Sequence, residues 1–109
     1  MRFGSAKYKA RKGLINIKLK LDKGKIESIR IEGDFFFYPE DKLWDLEKAL
    51  LGCDIEIGKI TRRIAEFYKS NGISSPGVEP EDFAKAITLA ARSVEPSTIV
   101  DSSLLKQGV

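Results

Sequence analysis

Histidine is absent from the 109 residues, and that gap removes whole classes of chemistry. Without it there is no Ser/His/Asp or Cys/His constellation, no imidazole acid or base and no histidine metal ligand. Cysteine is almost as scarce. Cys53 stands alone, which excludes a disulfide framework within one chain and fits a reducing compartment. No apolar run approaches the ~20 residues that span a bilayer, and Met1-Arg2-Phe3-Gly4 leads into a basic segment without an apolar signal core. The expected location is therefore the cytoplasm. Acid is nearly missing from residues 1–25, where nine Lys or Arg face only Asp22, a local charge of +8. The net charge of +3 then leaves −5 for the remainder.

What is present is the material of one soluble domain: 42% hydrophobic residues for a modest core and 32% charged residues for its shell. Ala6-Lys7-Tyr8-Lys9-Ala10-Arg11 alternates small or apolar residues with cations, the period of a half-buried edge strand. From Leu14, residues Ile15, Ile17, Leu19 and Leu21 share one strand face, and Asn16, Lys18 and Lys20 share the other. Asp22-Lys23-Gly24 supplies a hairpin turn, and the return strand buries Ile29 and Ile31 while Ser28, Arg30 and Glu32 face out.

After Gly33 the period becomes helical. Pro39, Glu40 and Asp41 form the first turn of a helix whose Leu43, Leu46 and Leu50 make one stripe, with Trp44 and Leu51 beside it, until Gly52. A second helix runs from Glu56 to Lys69 with Ile57, Ile60, Ile64 and Phe67 inward, stopped by Asn71-Gly72. Pro80-Glu81-Asp82 starts a third, with Phe83, Ile87, Ala90 and Ala91 inward. Residues 94–109 lack periodicity and read as a loose tail or a short added element. A hairpin followed by three helices predicts an α+β fold: a small antiparallel sheet with a possible N-terminal edge strand, packed against about three helices.

The ordered set Lys23-Gly24-Lys25-Ile26, Gly33-Asp34-Phe35-Phe36, Leu46-Glu47 to Leu50-Leu51-Gly52 and Pro80-Glu81-Asp82-Phe83 resembles the carboxy-terminal accessory domain of lipoate-protein ligases over about residues 5–92. The resemblance implies a domain at 1–93 with a fold similar to sulfur-scaffold proteins, in which the chemistry happens elsewhere. In that family the large domain holds lipoate, ATP and the catalytic lysine. With no room for that domain here, the resemblance suggests a separately encoded accessory subunit. It would form a heterodimer with the catalytic large subunit and be needed to make lipoyl-AMP rather than to transfer the lipoyl group. ATP, Mg2+ and lipoate would then bind in the complex, with no cofactor held by this chain alone. Lipoyl-acceptor domains are further candidate partners, a membrane is not, and the chain alone should be inactive.

For site residues, the resemblance and the local chemistry single out Lys12, Gly13, Gly33, Asp34, Phe35 and Phe36 as partner-binding or site-ordering. Gly33 reads first as a strand-end position needing an unusual backbone. Asp34 reads as a turn cap in preference to a magnesium ligand, because no further oxygen ligands can be located. Phe35, Phe36, Phe37 and Tyr38 are consecutive and cannot all face one core, so two should be core and one or two open to a partner. Leu46, Glu47 and Leu50 read as holding their helix in place. The basic arm reads as a solvated face whose lysines discourage edge pairing, then as a complement to an acidic partner surface. Last comes a nucleic-acid module with Tyr8 among cations. Cys53 offers a rival in a sulfur-relay or iron–sulfur scaffold, although an unreactive, half-buried thiol is favoured.

Overall fold

Alternation of apolar and charged side chains builds three antiparallel strands, β1 (Arg2–Ala10), β2 (Gly13–Asp22) and β3 (Lys25–Asp34), in the order β1-β2-β3. The computed structural model describes residues 2–93, so the segment 94–109, read above as a loose tail, lies outside the described residues. On the central strand Ile15, Ile17 and Leu19 are buried and Lys18 is exposed, as the period of two requires. The β2–β3 turn places Lys23 at φ 54° and Gly24 at φ 78°. Two positive φ values in succession match the right-handed twist of the flanking strands.

Two features of the sheet were not legible in the pattern. β1 begins at Arg2, ahead of the expected Ala6, because Arg2 to Ser5 continue the register opposite Leu21 to Lys18. On β3, Ile26, Ile29 and Ile31 are all buried although the first two are three residues apart. A register shift between Lys20 and Leu21 reconciles them: Lys20 pairs with Ser28 but Leu21 with Ile26, leaving Glu27 as the extra residue of a bulge.

The helices α1 (Lys42–Ala49), α2 (Ile57–Asn71) and α3 (Pro80–Arg92) cover one face of the sheet. α3 packs across β1 and β2, α1 against β3, and α2 against both of its fellow helices. Ala84, Ala86 and Ala90 are buried on α3, where small side chains bring the helix close to its neighbours. The core joins Ile15, Ile17 and Ile31 to Leu46, Leu50, Ile60, Ile64, Phe83 and Ile87. Each such side chain contributes about 1.5–3 kcal/mol when fully buried. α2 is capped by Glu56, whose Oε1 accepts from the Gly58 N–H at 2.6 Å. At the start of α3 the Glu79 N–H donates to Asp82 Oδ2 at 2.8 Å.

Pro39 does not open α1, which starts at Lys42. The reason is a bridge on the preceding residue. The Tyr38 N–H donates to Ser74 O at 2.9 Å and the Ser74 N–H to Tyr38 O at 2.8 Å, keeping the chain strand-like up to the proline. Ile57 departs from its expected place as well. As the first residue of α2 it points away from the core and is largely exposed, while Ile60 and Ile64 are buried.

The outer edge of β3 is closed by other parts of the chain. The Ile26 N–H donates to Cys53 O at 3.0 Å, the Gly52 N–H to Ile26 O at 2.8 Å, and the Ile31 N–H to Glu47 Oε2 at 2.7 Å. Glu47 thus ties α1 to the sheet, which is how it holds the helix in place. Among the described residues the opposite face of the sheet carries no helix. Among the described residues no helix is long and apolar enough to cross a membrane.

Candidate functional site

Two glycines, each pressed against the backbone of the opposite strand where β2 and β3 meet, organise one end of the sheet. Gly33 has φ +144°, and a Cβ there would stand 2.0 Å from the backbone oxygen of Leu14. A Cβ on Gly13 would stand 2.7 Å from both Asp34 O and Phe35 Cβ. Neither position has room for a side chain. The two strands close tightly here, with Ile15 opposite Gly33 and Leu14 opposite Asp34.

Asp34 leaves this junction exposed, and its carboxylate has no hydrogen-bond or ion-pair partner among the described residues. It therefore does not cap a turn. Asp34 is still paired in the ladder, and the chain runs on past it in alternation instead of turning.

That alternation sorts the aromatics. Phe35 and Phe37 point inward and meet Phe83 edge-on, with ring centroids at 5.4 Å and 6.2 Å. Phe37 also meets Tyr68 at 5.9 Å. Phe36 and Tyr38 point outward, 57% and 60% exposed, and stack on each other at 6.4 Å and 12°. With the inner pair packed and Tyr38 bridged to Ser74, the outer pair forms a ledge held in one geometry. Beside it lies a concavity of about 550 Å³, lined in part by Ile31, Glu32, Gly33, Glu40 and Leu43. Trp44, the next residue on α1, is 70% exposed.

Lys12 is held from another direction. Its N–H donates to Gly77 O at 3.1 Å, and its stem crosses Gly77 so closely that a Cβ there would meet Lys12 Cβ at 2.3 Å. The loop beneath is pinned by the buried Ser75, whose Oγ donates to Val78 O at 2.6 Å, leaving the Tyr68 hydroxyl to donate to Ser75 Oγ, also at 2.6 Å. Burial pushes the Tyr68 phenol up to about 12. The ammonium of Lys12 is on the exposed surface and does not line the concavity.

Of the six expected residues, Gly13, Gly33, Asp34 and Phe35 meet at the strand junction, Phe36 forms the ledge, and Lys12, in the β1–β2 turn, stands apart against Gly77 of the α2–α3 loop. Tyr38, Glu40 and Leu43 were missed as members. Extending the alternation from Phe35 would have found Tyr38. No local signal marks its bridge to Ser74, 36 positions on.

The arrangement offers contact surface: a stacked aromatic pair beside a concavity whose wall carries Glu32 and Glu40. Among the described residues no three of His, Cys, Asp or Glu gather closely enough to hold a metal ion. The described residues therefore do not fit a magnesium site. Cys53 is fully buried, beyond the half-burial expected of it, and burial raises its thiol pKa against the opposing pull of Arg63. A protonated thiol under the surface does not suit a persulfide carrier. Nearby, Asp54 is held at about 2 by hydrogen bonds from Lys25 at 2.6 Å and Lys59 at 2.9 Å.

Comparison with known proteins gives a consistent picture. Residues 5–87 match the family model described as the bacterial lipoate protein ligase C-terminus. The chain is 49% identical over 83 residues to the lipoate-protein ligase A subunit 2 of Thermoplasma acidophilum, covering 76% of this chain and 85% of that protein. It is 39% identical over 59 residues to lipoate-protein ligase 1 of Staphylococcus aureus, covering 54% of this chain but 17% of that protein. Among solved structures it is similar to a chain from the archaeal lipoylation system of Thermoplasma acidophilum, a bi-partite lipoate protein ligase and its E2 lipoyl domain. The TM-score there is 0.71 at 46% identity, over 80% of this chain and 97% of that one. Nothing in these likenesses supports a sulfur relay or a nucleic-acid module.

Proposed function

Because the chain belongs to the family of the bacterial lipoate protein ligase C-terminus, we propose that it is the accessory subunit of a two-component lipoate-protein ligase and pairs with a catalytic large subunit in protein lipoylation. The observation that carries this reading is the 49% identity with a protein that is itself a separate ligase subunit, matched over 85% of its length. The fold agrees with the role, because it presents a rigid aromatic ledge suited to a partner.

Its contribution is to order the large subunit's site for the ATP-dependent activation of lipoate to lipoyl-AMP. That reaction brings a carboxylate up to a triphosphate, so its rate depends on positioning and on the placement of cations. Phe36 and Tyr38 supply apolar anchors of the kind that dominate stable interfaces. Gly13, Gly33 and Phe35 fix where the ledge stands. Asp34 and Lys12 add one free carboxylate and one free ammonium for matching a partner's charges. ATP, Mg2+ and lipoate belong to the large subunit's side of the complex. The working compartment is the cytoplasm, in keeping with a single buried, reduced cysteine.

The test is lipoyl-AMP formation from lipoate and ATP by the large subunit, with and without this chain. Formation should depend on the chain, and Asp34→Ala and Phe36→Ala should weaken complex formation and adenylation while the fold survives. A large subunit fully active alone would refute the accessory role. Variants indistinguishable from the parent would refute the ledge as its interface.

A further inference from the structure

One side of a standard protein interface buries about 800 Å². The ledge alone falls well short of that: Phe36 and Tyr38 are 57% and 60% exposed, so two aromatic side chains of ~200 Å² each offer roughly 240 Å². A subunit held at this end of the molecule must also grip what lies next to it. The strands beside the ledge offer mixed charge, with Arg30 paired to Glu32 at 2.9 Å and Lys7 and Lys18 sharing a concavity with Glu32. α1 offers an apolar path instead. Leu43 lines the concavity of the ledge, and the residue after it, Trp44, is 70% exposed.

Trp44 is the single tryptophan of the chain. The core does not use it, because Leu46 and Leu50 supply the buried stripe of α1. Its indole joins no aromatic pair or cation–π contact among the described residues. The residues three and four positions to either side, Glu40, Asp41, Glu47 and Lys48, are all charged, so no helix neighbour covers it with apolar surface. The other ring exposed to this degree, Phe3, already has Lys20 over it at 5.7 Å and sits at the far end of β1 from the strand junction. α1 also presents Trp44 on a fixed support. Glu47 accepts from the Ile31 N–H at 2.7 Å, and Arg63 Nη1 donates to Ala49 O at 3.0 Å at the end of the helix, which leaves little backbone freedom to be lost on binding.

Resting on the reading of the chain as a ligase subunit that binds through its ledge, we propose that Trp44 is a principal anchor for the catalytic large subunit, the contact surface running from Phe36 and Tyr38 through Leu43 onto α1. With Trp44 the exposed aromatic area rises to roughly 400 Å², about half of one side of a standard interface. Tryptophan and tyrosine are enriched among the few residues that carry most of the energy of an interface. An apolar anchor requires an apolar recess on the catalytic subunit and is indifferent to the sign of the charge around it. A ligase subunit is favoured over a second copy of this chain because the relative at 49% identity is itself one subunit of a ligase, and a similar solved chain belongs to a bi-partite one.

The experiment reads Trp44 directly. Grown with fluorotryptophan, the chain gives a single fluorine resonance, which should shift and lose its solvent-isotope sensitivity when the catalytic subunit is added. Trp44→Ala should raise the Kd of the complex about 30-fold, the loss expected of a central aromatic anchor, with Trp44→Phe between. The concentration of this chain needed for half-maximal lipoyl-AMP formation should rise by a similar factor. Tm should stay at the parent level, because an exposed side chain is trimmed. Leu89→Ala, which trims a 39% exposed side chain on α3, should leave Kd unchanged. A complex that forms while the resonance stays in place overturns the proposal, as does a Kd unmoved by Trp44→Ala. So does a resonance that shifts with the concentration of this chain alone, which would give the face to a second copy. Failure of the underlying reading is separable, since the parent chain then forms no complex with the catalytic subunit and lipoyl-AMP formation is indifferent to its presence.

Discussion

Replacing Gly33 and Gly24 by alanine, one at a time, separates two kinds of glycine that look alike in a sequence. Both have positive φ, +144° and +78°. At Gly24 an added Cβ meets nothing within 4 Å, so Gly24→Ala pays only for the backbone region, about 1–2 kcal/mol. At Gly33 the Cβ would lie 2.0 Å from Leu14 O and 3.0 Å from Leu14 C. These are backbone atoms of the central strand, with no rotamer through which to move away. Gly33→Ala therefore combines about 1–3 kcal/mol of conformational strain with an overpacking cost of similar size. The expected gap between the variants is about 2 kcal/mol, or roughly 10 °C in Tm for a domain of this size. Thermal and urea unfolding followed by circular dichroism measure it, with Gly13→Ala intermediate, since a Cβ there makes 2.7 Å contacts without a positive φ. Equal stabilities for Gly33→Ala and Gly24→Ala would refute the claim that the close approach to β2 selects glycine at position 33. If the gap is found, loss of activity in Gly33→Ala reports the fold, and Asp34→Ala becomes the cleaner probe of contact.

Two further outcomes test the supports of the site. Glu47→Ala should leave the Ile31 N–H without its charged acceptor at 2.7 Å, costing about 1.5–3 kcal/mol and lowering hydrogen-exchange protection at Ile31, while Glu47→Gln should recover much of both; unchanged exchange would mean the bond is not made in solution. For Tyr68, a folded pKa of about 12 against an ordinary 10.0 means the contribution is fully present below pH 10 and is lost as pH rises through 12. Stability should therefore fall across pH 10–12 and Tyr68→Phe should flatten that fall; a parent-like slope in the variant would assign it to other groups.

The parts of the fold legible in the chain were those set by near neighbours. Ile15, Ile17 and Leu19 repeat every two residues, and Ile60 and Ile64 repeat at a helical spacing, so the central strand and α2 could be read almost to their ends. The bulge at Glu27 could not, because it follows from which residue of β3 finds Leu21, a choice made between strands. The start of α1 was misplaced for the same kind of reason. Pro39, Glu40 and Asp41 have good first-turn chemistry, yet a bridge to Ser74 holds the residue before them. At the site, the sorting of the aromatics into two buried and two exposed followed from their being consecutive. That Gly13 and Gly33 both press on backbone at one strand junction did not, since 20 positions separate them and only the register brings them to the same end of the sheet.

The Gly-Asp-Phe-Phe stretch is best understood as one mechanical sequence. Without a Cβ at Gly33, β2 and β3 close at their ends, and the chain beyond Asp34 leaves the sheet in a set direction. Phe35 and Phe37 then lock against Phe83 and Tyr68, and alternation forces Phe36 and Tyr38 outward into a stacked pair. On this account the inner phenylalanines are positioning residues for the outer ones. Phe37→Leu keeps an apolar side chain in the core but removes the edge-on contacts with Phe83 and Tyr68. It should therefore loosen the ledge and weaken complex formation even though residue 37 is only 5% exposed, an effect that surface exposure alone would not assign to it.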